Sequence, residues 1–345
     1  MAPVQESPLD QMVGRLTGSS LNALGEVVRE VRPRLNLVED LIQRHLASSS
    51  PTIQAAGAHV FEAGGKRLRP AVLLAVARAI GYEGDNDVRY AASVEIIHTA
   101  SLVHDDVIDH AAVRRRRATL NSLSGNQFAV LLGDWLYTRG MEIALEDDHL
   151  LPLRILSRAT TSLTEGEILA LGLQGRSDIT FDQYQQVCEL KTAELFAAAA
   201  SIPATFDPAQ ARFREPLRAY GHHLGLCFQI IDDLLDVTAS EKRLGKPVFS
   251  DLREGRLTLP FILALPDLPA EERQMVETVL GGGEMDDQAP RRLRRALDRQ
   301  GALDAARQIA HEHAELAAAA ISGLPASSTR RALQGAPLAL LDRKF

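Results

Sequence analysis

The chain has 345 residues, of which 46% are hydrophobic, 24% charged and 5% aromatic, with a net charge of −7. That length makes one large domain or two ordinary ones, and the acidic balance argues against a general nucleic-acid binder. The N-terminus MAPVQESPLD has neither a charged nor an apolar signal region, so it does not read as a signal peptide, and no apolar run is long enough to span a bilayer.

Ala- and Leu-rich stretches with few aromatics favour helices over sheets. Residues 21–48 carry apolar side chains at helical spacing, with Pro33 expected to split or kink the run. A second amphipathic stretch, 51–63, ends at Gly64 and Gly65 as a C-cap. Pro70 opens an apolar helix as a first-turn proline, and 88–109 forms a long apolar helix. Helical segments follow at 126–145, 150–173, 181–201, 213–237, 260–265, 270–280, 289–299 and 302–322, with no convincing period-2 strand. Turn clusters at 81–87 and 280–288 read as connectors. No composition break marks a linker, so one all-helical domain over 1–345 is expected, with 1–20 loosely ordered. Cys188 and Cys227 fall in apolar segments and read as buried free thiols, which favours a reducing, cytoplasmic setting.

Two helices carry the same pattern of carboxylates. In LVHDDVIDH, Asp105 and Asp109 are four residues apart and face the same way, with Asp106 beside them. In FQIIDDLLDV the pattern returns as Asp232, Asp233 and Asp236. Both are embedded in apolar residues. A single such cluster would usually be a solvated face, but two buried ones need partners or metals. An oxygen-only donor set with no cysteine cluster suits a hard cation, Mg²⁺ before Zn²⁺, and Mg²⁺ commonly bridges carboxylates to substrate phosphates.

Cationic partners for a phosphate stand in three places. Gly64–Pro70 (GGKRLRP) is a glycine turn feeding a helix N-terminus, Arg114–Arg117 follows the first cluster, and Gly245-Lys246 with DLREGRLTLP follows the second. Each carboxylate helix therefore precedes a basic loop.

GGKRLRP, HDDVID followed by RR, EGEILAL, KTAELF, FQIIDDLLD and GK…DLREGRLTLP, in this order, resemble the trans-polyprenyl diphosphate synthases over about residues 20–265. The resemblance implies an all-α isoprenoid-synthase-type bundle around a deep central cavity, a homodimer, and a prenyltransferase that condenses isopentenyl diphosphate with an allylic diphosphate. It implies Mg²⁺, three ions per site when diphosphate is bound, held by Asp105, Asp106 and Asp109 from one wall and by Asp232, Asp233 and Asp236 from the other. It assigns Arg114, Lys191 and Lys246, with Arg256, to the allylic diphosphate. It assigns Gly65, Lys66, Arg69, His98 and Arg115 to isopentenyl diphosphate. Thr192 and Gln229 fall near the reacting carbons, where their dipoles can stabilise a carbocation, and Phe228 adds a π face. No nucleic acid is implied, and at most transient membrane contact for product release.

Taken alone, His98 would be a packed core histidine and Lys191 a surface lysine. His98 lies seven residues before Asp105, on about the same helix face. Trp135, Tyr137 and the buried-looking Asp134 read as structural. Three departures from the family pattern stand out. Arg116 and Ala118 replace a usual Gly and Pro, which predicts a looser turn; Phe249 stands where glycine is common; and Arg256 replaces a lysine, keeping charge but not geometry.

Product length is read from the helix before Asp105. Ala100 and Ser101, one turn deeper, are small where short-product members often carry an aromatic, and Ile97 is a partial obstacle below, followed by Val94 and Ser93. The expected product is about C35–C45, for a quinone side chain. The alternatives are a product of about C20, a non-catalytic partner subunit that would have lost an Asp cluster, a terpene cyclase that would not need Lys66, Arg69 and His98, and a nucleic-acid module built on the arginine run.

Overall fold

A computed structural model describes residues 20–62, 65, 67–115, 117–146, 148–239 and 248–342, with side chains from residue 25. Gly64, Lys66, Arg116, Lys246 and the expected N-terminal segment lie outside the described residues, apart from residue 20 itself.

The elements are α1 (Ser20–His45), α2 (Pro51–Glu62), α3 (Leu68–Ala79), α4 (Asn86–Ile108), a hairpin of β1 (Val113–Arg114) and β2 (Arg117–Ala118), α5 (Leu120–Ser124), α6 (Asn126–Leu145) and α7 (Leu150–Leu173). Next come α8 (Phe181–Cys188), a π turn (Glu189–Ala193), α9 (Glu194–Ser201), two 3₁₀ turns (Ile202–Thr205, Pro208–Phe213) and α10 (Arg214–Thr238). Beyond residue 248 lie α11 (Ser250–Arg253), α12 (Leu259–Ala264), a 3₁₀ turn (Leu265–Asp267), α13 (Ala270–Leu280), α14 (Ala289–Arg299), α15 (Ala302–Ala320) and α16 (Ser328–Leu341). One continuous set of buried apolar side chains runs from Val27 of α1 to Leu340 of α16.

α4 is the central rod. Residues around its whole circumference are buried, including Tyr90, Val94, Ile96, Ile97, Ala100 and Val103, as expected of a helix enclosed on all sides. It packs along α6, and the close approach depends on Gly140. A Cβ there would meet Ile97 Cγ1 at 2.8 Å and the Ser93 carbonyl at 3.2 Å. α10, with the second carboxylate cluster, lies between α9 and α15. Its contact with α9 is closer still, because a Cβ at Gly221 would stand 2.3 Å from the Phe196 carbonyl oxygen. The two carboxylate helices are thereby fixed in one core.

Four expectations change. α1 runs unbroken through Pro33, because the proline sits on the solvent side while Val27, Val31, Leu35, Val38 and Ile42 anchor the opposite face. The helix expected over 181–201 is interrupted by the π turn at 189–193. The loop after Asp109 is a tight hairpin with Val113 opposite Ala118, and Arg115 supplies the positive φ of 51° that its turn needs. Asp134 is exposed, with its carboxylate 3.4 Å from His104 Nε2. Cys188 and Cys227 are buried and free, as expected.

Candidate active site

Asp105, Asp106 and Asp109 close the C-terminal end of α4, and each has its own cation. The π turn brings Lys191 Nζ to 3.6 Å from Asp105 and into an ion pair with Glu167 of α7. Arg114 on β1 donates Nε to Asp106 at 2.5 Å. Arg256 donates to Asp109 and to Asp251, each at 3.0 Å, and also pairs with Glu254. Burial pushes the Asp105 carboxyl up to about 6 against the opposing pull of Lys191. Burial also raises Asp106, with Arg114 opposing.

The second cluster divides its labour. Asp232 is exposed and, among the described residues, accepts no hydrogen bond. Asp233 is buried and accepts from Tyr184 Oη at 2.6 Å and Gln229 Nε2 at 2.8 Å. Gln229 Oε1 in turn accepts from Thr192 Oγ1 at 2.8 Å. Burial, then the charge of Asp251, pushes Asp233 up to about 7. Asp236, also expected at the metal, is engaged by the loop beyond it. Its carboxylate accepts from Ser250 Oγ at 2.6 Å and from the backbone N–H of Ser250 and Asp251 at 3.2 Å, so it caps the turn that presents Asp251.

Among the described residues, no three carboxylate, His or Cys side chains gather into a ready-made metal cage. The donor set is still that of a hard divalent ion, which keeps waters and takes phosphate oxygens as ligands. Asp105, Asp109 and Asp232 fit it: all carboxylates, two of them balanced here by cations that a metal would replace.

Tyr184 carries no sequence signal of its own, yet it is buried and donates to Asp233. Tyr184→Phe leaves a buried carboxyl oxygen short of a donor. The expected cost is about 1–3 kcal/mol in urea unfolding, and a loss below about 0.5 kcal/mol rules the bond out as structural.

A separate basic region lies beside these carboxylates. Burial pushes His98 well below its ordinary pKa, and Arg69, Arg115, Arg114 and Arg67 add to the effect. One neutral imidazole therefore stands among four guanidinium groups. Arg69 lies 4.4 Å over the Phe196 ring, its buried Nε has no hydrogen-bond partner among the described residues, and burial lowers it to about 10. Arg67, in left-handed backbone at φ 44°, is tied to Glu39 at 2.6 Å and Glu95 at 2.8 Å. Gly65 fits tightly, since a Cβ would meet Arg67 Nη1 at 2.9 Å, Glu95 Oε1 at 3.3 Å and Arg115 Nη1 at 3.4 Å.

Along α4, Ala100 is buried and Ser101 half-buried, its Oγ donating to the His98 carbonyl at 2.8 Å. Ile97, expected as a partial obstacle, packs toward α6. Its side chain is committed to the α6 contact at Gly140, as is Ser93, whose hydroxyl donates to the Gly140 carbonyl at 2.6 Å.

A family model, polyprenyl synthetase, matches residues 50–297. The chain belongs to the polyprenyl synthetase family. It is 40% identical to octaprenyl diphosphate synthase of Escherichia coli (strain K12) over 86% of this chain and 92% of that protein. It is 36% identical to the all-trans-nonaprenyl-diphosphate synthase (geranyl-diphosphate specific) of Rhodobacter capsulatus, over 92% of this chain and 97% of that protein. Among solved structures, a polyprenyl synthase from Caulobacter crescentus complexed with calcium and isoprenyl diphosphate superposes with a TM-score of 0.87 at 37% identity, covering 92% of this chain and 97% of that one. The protein is a prenyltransferase with the all-α isoprenoid synthase fold, of the long-chain trans type, and its family uses divalent metal ions to bind diphosphate. No described helix is long and apolar enough to cross a membrane.

Glu167, Glu95, Arg67 and Tyr184 join the site without having been singled out from the sequence. EGEILAL contained Glu167, but only the π turn explains why it meets Lys191.

Proposed function

We propose that this chain elongates an allylic diphosphate with isopentenyl diphosphate to an all-trans product of about C35–C45, as one domain working in a cytoplasmic homodimer. The observation that carries this reading is the adjacency of two unlike subsites. One is rich in carboxylates that share cations, and the other is an arginine cluster around His98. The first suits a diphosphate that must leave, the second a diphosphate that must stay.

Mg²⁺, held by Asp105, Asp109 and Asp232 and assigned three ions per site by resemblance, supplies Lewis-acid pull on the leaving diphosphate. Lys191, Arg114 and Arg256, with Lys246, would hold the diphosphate oxygens, the carboxylates they now pair with being the groups that would hold the metal. Arg69, Arg115 and His98, with Gly65 and Lys66, hold isopentenyl diphosphate. The allylic C–O bond breaks, the isopentenyl double bond attacks the resulting cation, and a proton is lost to the departing diphosphate. Thr192 donates its proton to Gln229, so its oxygen lone pairs are left to face developing positive charge. Phe228 packs against Phe196 with the rings tilted at 45° and 5.6 Å between centroids, which orders that wall.

The homodimer reading is supported by α6, which leaves Leu131 67% and Leu145 61% exposed on the side away from α4, with Leu123 of α5 at 58%. Sedimentation of the full chain at twice the monomer mass is the expected result, and a monomer at micromolar concentration overturns this part of the reading.

The test of the activity is incubation of purified protein with Mg²⁺, isopentenyl diphosphate and farnesyl diphosphate, followed by sizing of the dephosphorylated products. A ladder ending at C35–C45 is expected, a stop at C20 rejects the chain length, and no elongation rejects the enzyme. Ser101→Phe puts an aromatic one turn below Asp105 on the same face. It is expected to shorten the main product by several isoprene units with the first condensation retained, whereas an unchanged ladder shows that the chain does not pass Ser101.

A further inference from the structure

The surface carries a second concentration of positive charge that the reaction does not use. Helix α14 has the sequence APRRLRRALDR in a protein of net charge −7. Its apolar side chains Leu293, Ala296 and Leu297 are buried in the core, and its arginines point the other way. Arg292 is consumed by Glu271 at 2.8 Å and Glu272 at 3.2 Å. Arg291, Arg294 and Arg295 are different: among the described residues their guanidinium groups have no carboxylate partner. They line a recess of about 330 Å³ together with Arg307 of α15, which is itself paired with Asp304 at 2.7 Å, with Thr238 and Leu303 in its wall. Among the described residues, Asp298 is the one acidic residue in the lining.

We propose that this recess is a binding site, separate from the active site, for a soluble anion carrying a phosphate or diphosphate group of at least two charges. Guanidinium groups match phosphate oxygens bidentately, and Arg291, Arg294 and Arg295 together call for a multivalent ligand. The recess is concave, which suits a small ligand. α14 buries its apolar face against the protein and has nothing to insert into a bilayer, which disfavours a lipid headgroup as the source of the phosphate. Stabilising the C-terminal dipole of α10 at Thr238 would take one cation and leaves the others unexplained. Thr238 lies two residues beyond Asp236, so an occupant sits at the end of the helix that carries the second carboxylate cluster.

The experiment is calorimetric titration of the full-length protein with inorganic diphosphate in EDTA, comparing wild type with Arg291→Gln/Arg294→Gln/Arg295→Gln. The wild type is expected to bind one more equivalent than the triple variant, and Arg294→Gln alone to weaken that equivalent at least fivefold. Elongation at saturating substrates is expected to stay within twofold, with an unchanged circular dichroism spectrum. The same stoichiometry and affinity in all three proteins overturns the proposal. In a second arm the proteins are sedimented with phosphatidylglycerol vesicles. Arginine-dependent capture there, without the extra diphosphate equivalent, overturns the soluble ligand and assigns the phosphate to a lipid headgroup.

Discussion

Asp105→Asn is expected to lower kcat for elongation by at least a thousandfold while leaving the protein folded. The carboxylate sits at the end of α4 beside Lys191 and, with Asp109 one turn on, is the part of the first cluster proposed to hold the metal. A bound metal supplies several kcal/mol of stabilisation to the charge that develops on the leaving group, and each 1.36 kcal/mol is tenfold in rate. Asparagine keeps the shape but cannot balance a divalent ion. Folding should not suffer, since burial already holds this carboxyl up to about 6, and Lys191 retains its pair with Glu167. The measurement is single-turnover product formation at saturating Mg²⁺, beside a melting curve. Activity within tenfold of wild type removes Asp105 from the metal site. A collapsed melting curve instead makes its role structural. Asp236→Asn is the contrast: its carboxylate caps residues 250 and 251, so its loss should appear first in stability.

Much of this arrangement was legible because its signals are local. The i, i+4 spacing of Asp105 and Asp109 is a property of nine consecutive residues, and the helix boundaries of α6 and α7 follow from apolar periodicity alone. What was not legible depends on contacts between distant segments. Asp232, Asp233 and Asp236 look equivalent in FQIIDDLLDV. Tyr184, 49 positions from Asp233, and Ser250, 14 positions from Asp236, leave Asp232 as the one of the three without a hydrogen bond among the described residues. Pro33 carried a strong local signal that was overruled, because its helix is held by packing on the opposite face. Helix α16 went unread, since Pro337 and Gly335 obscure its pattern while Ser327 caps it from outside the run. Phe249 is the converse case. Its place in the sequence suggested glycine, and its backbone is left-handed at φ 58° as a glycine's would be, yet the ring is buried against Phe261 at 5.8 Å. Packing there retains a side chain that the backbone disfavours.

The same dependence on distant contacts predicts that Gly166→Val on α7, a residue with no ionisable group, will cost both stability and activity. A Cβ at Gly166 would stand 2.6 Å from the Lys191 backbone nitrogen and 2.8 Å from Leu190 Cβ. Two of its nearest neighbours are backbone atoms of the π turn, so no side-chain rotation relieves the clash. Either α7 moves outward or the turn does. Overpacking of this kind costs about 1–3 kcal/mol, and more where backbone must yield. The adjacent residue is Glu167, whose ion pair with Lys191 helps to set the position of that ammonium group beside Asp105. A displacement of about 1 Å at a positioning group can cost on the order of a hundredfold in rate. The expected result is a kcat down by about a hundredfold in the fraction that remains folded, together with a lower melting temperature. Gly172→Val, on the same helix with nothing within 4 Å of its Cβ, should change neither by much. If Gly166→Val keeps full activity per folded molecule, the close packing of α7 on the π turn serves the fold and not the placement of Lys191.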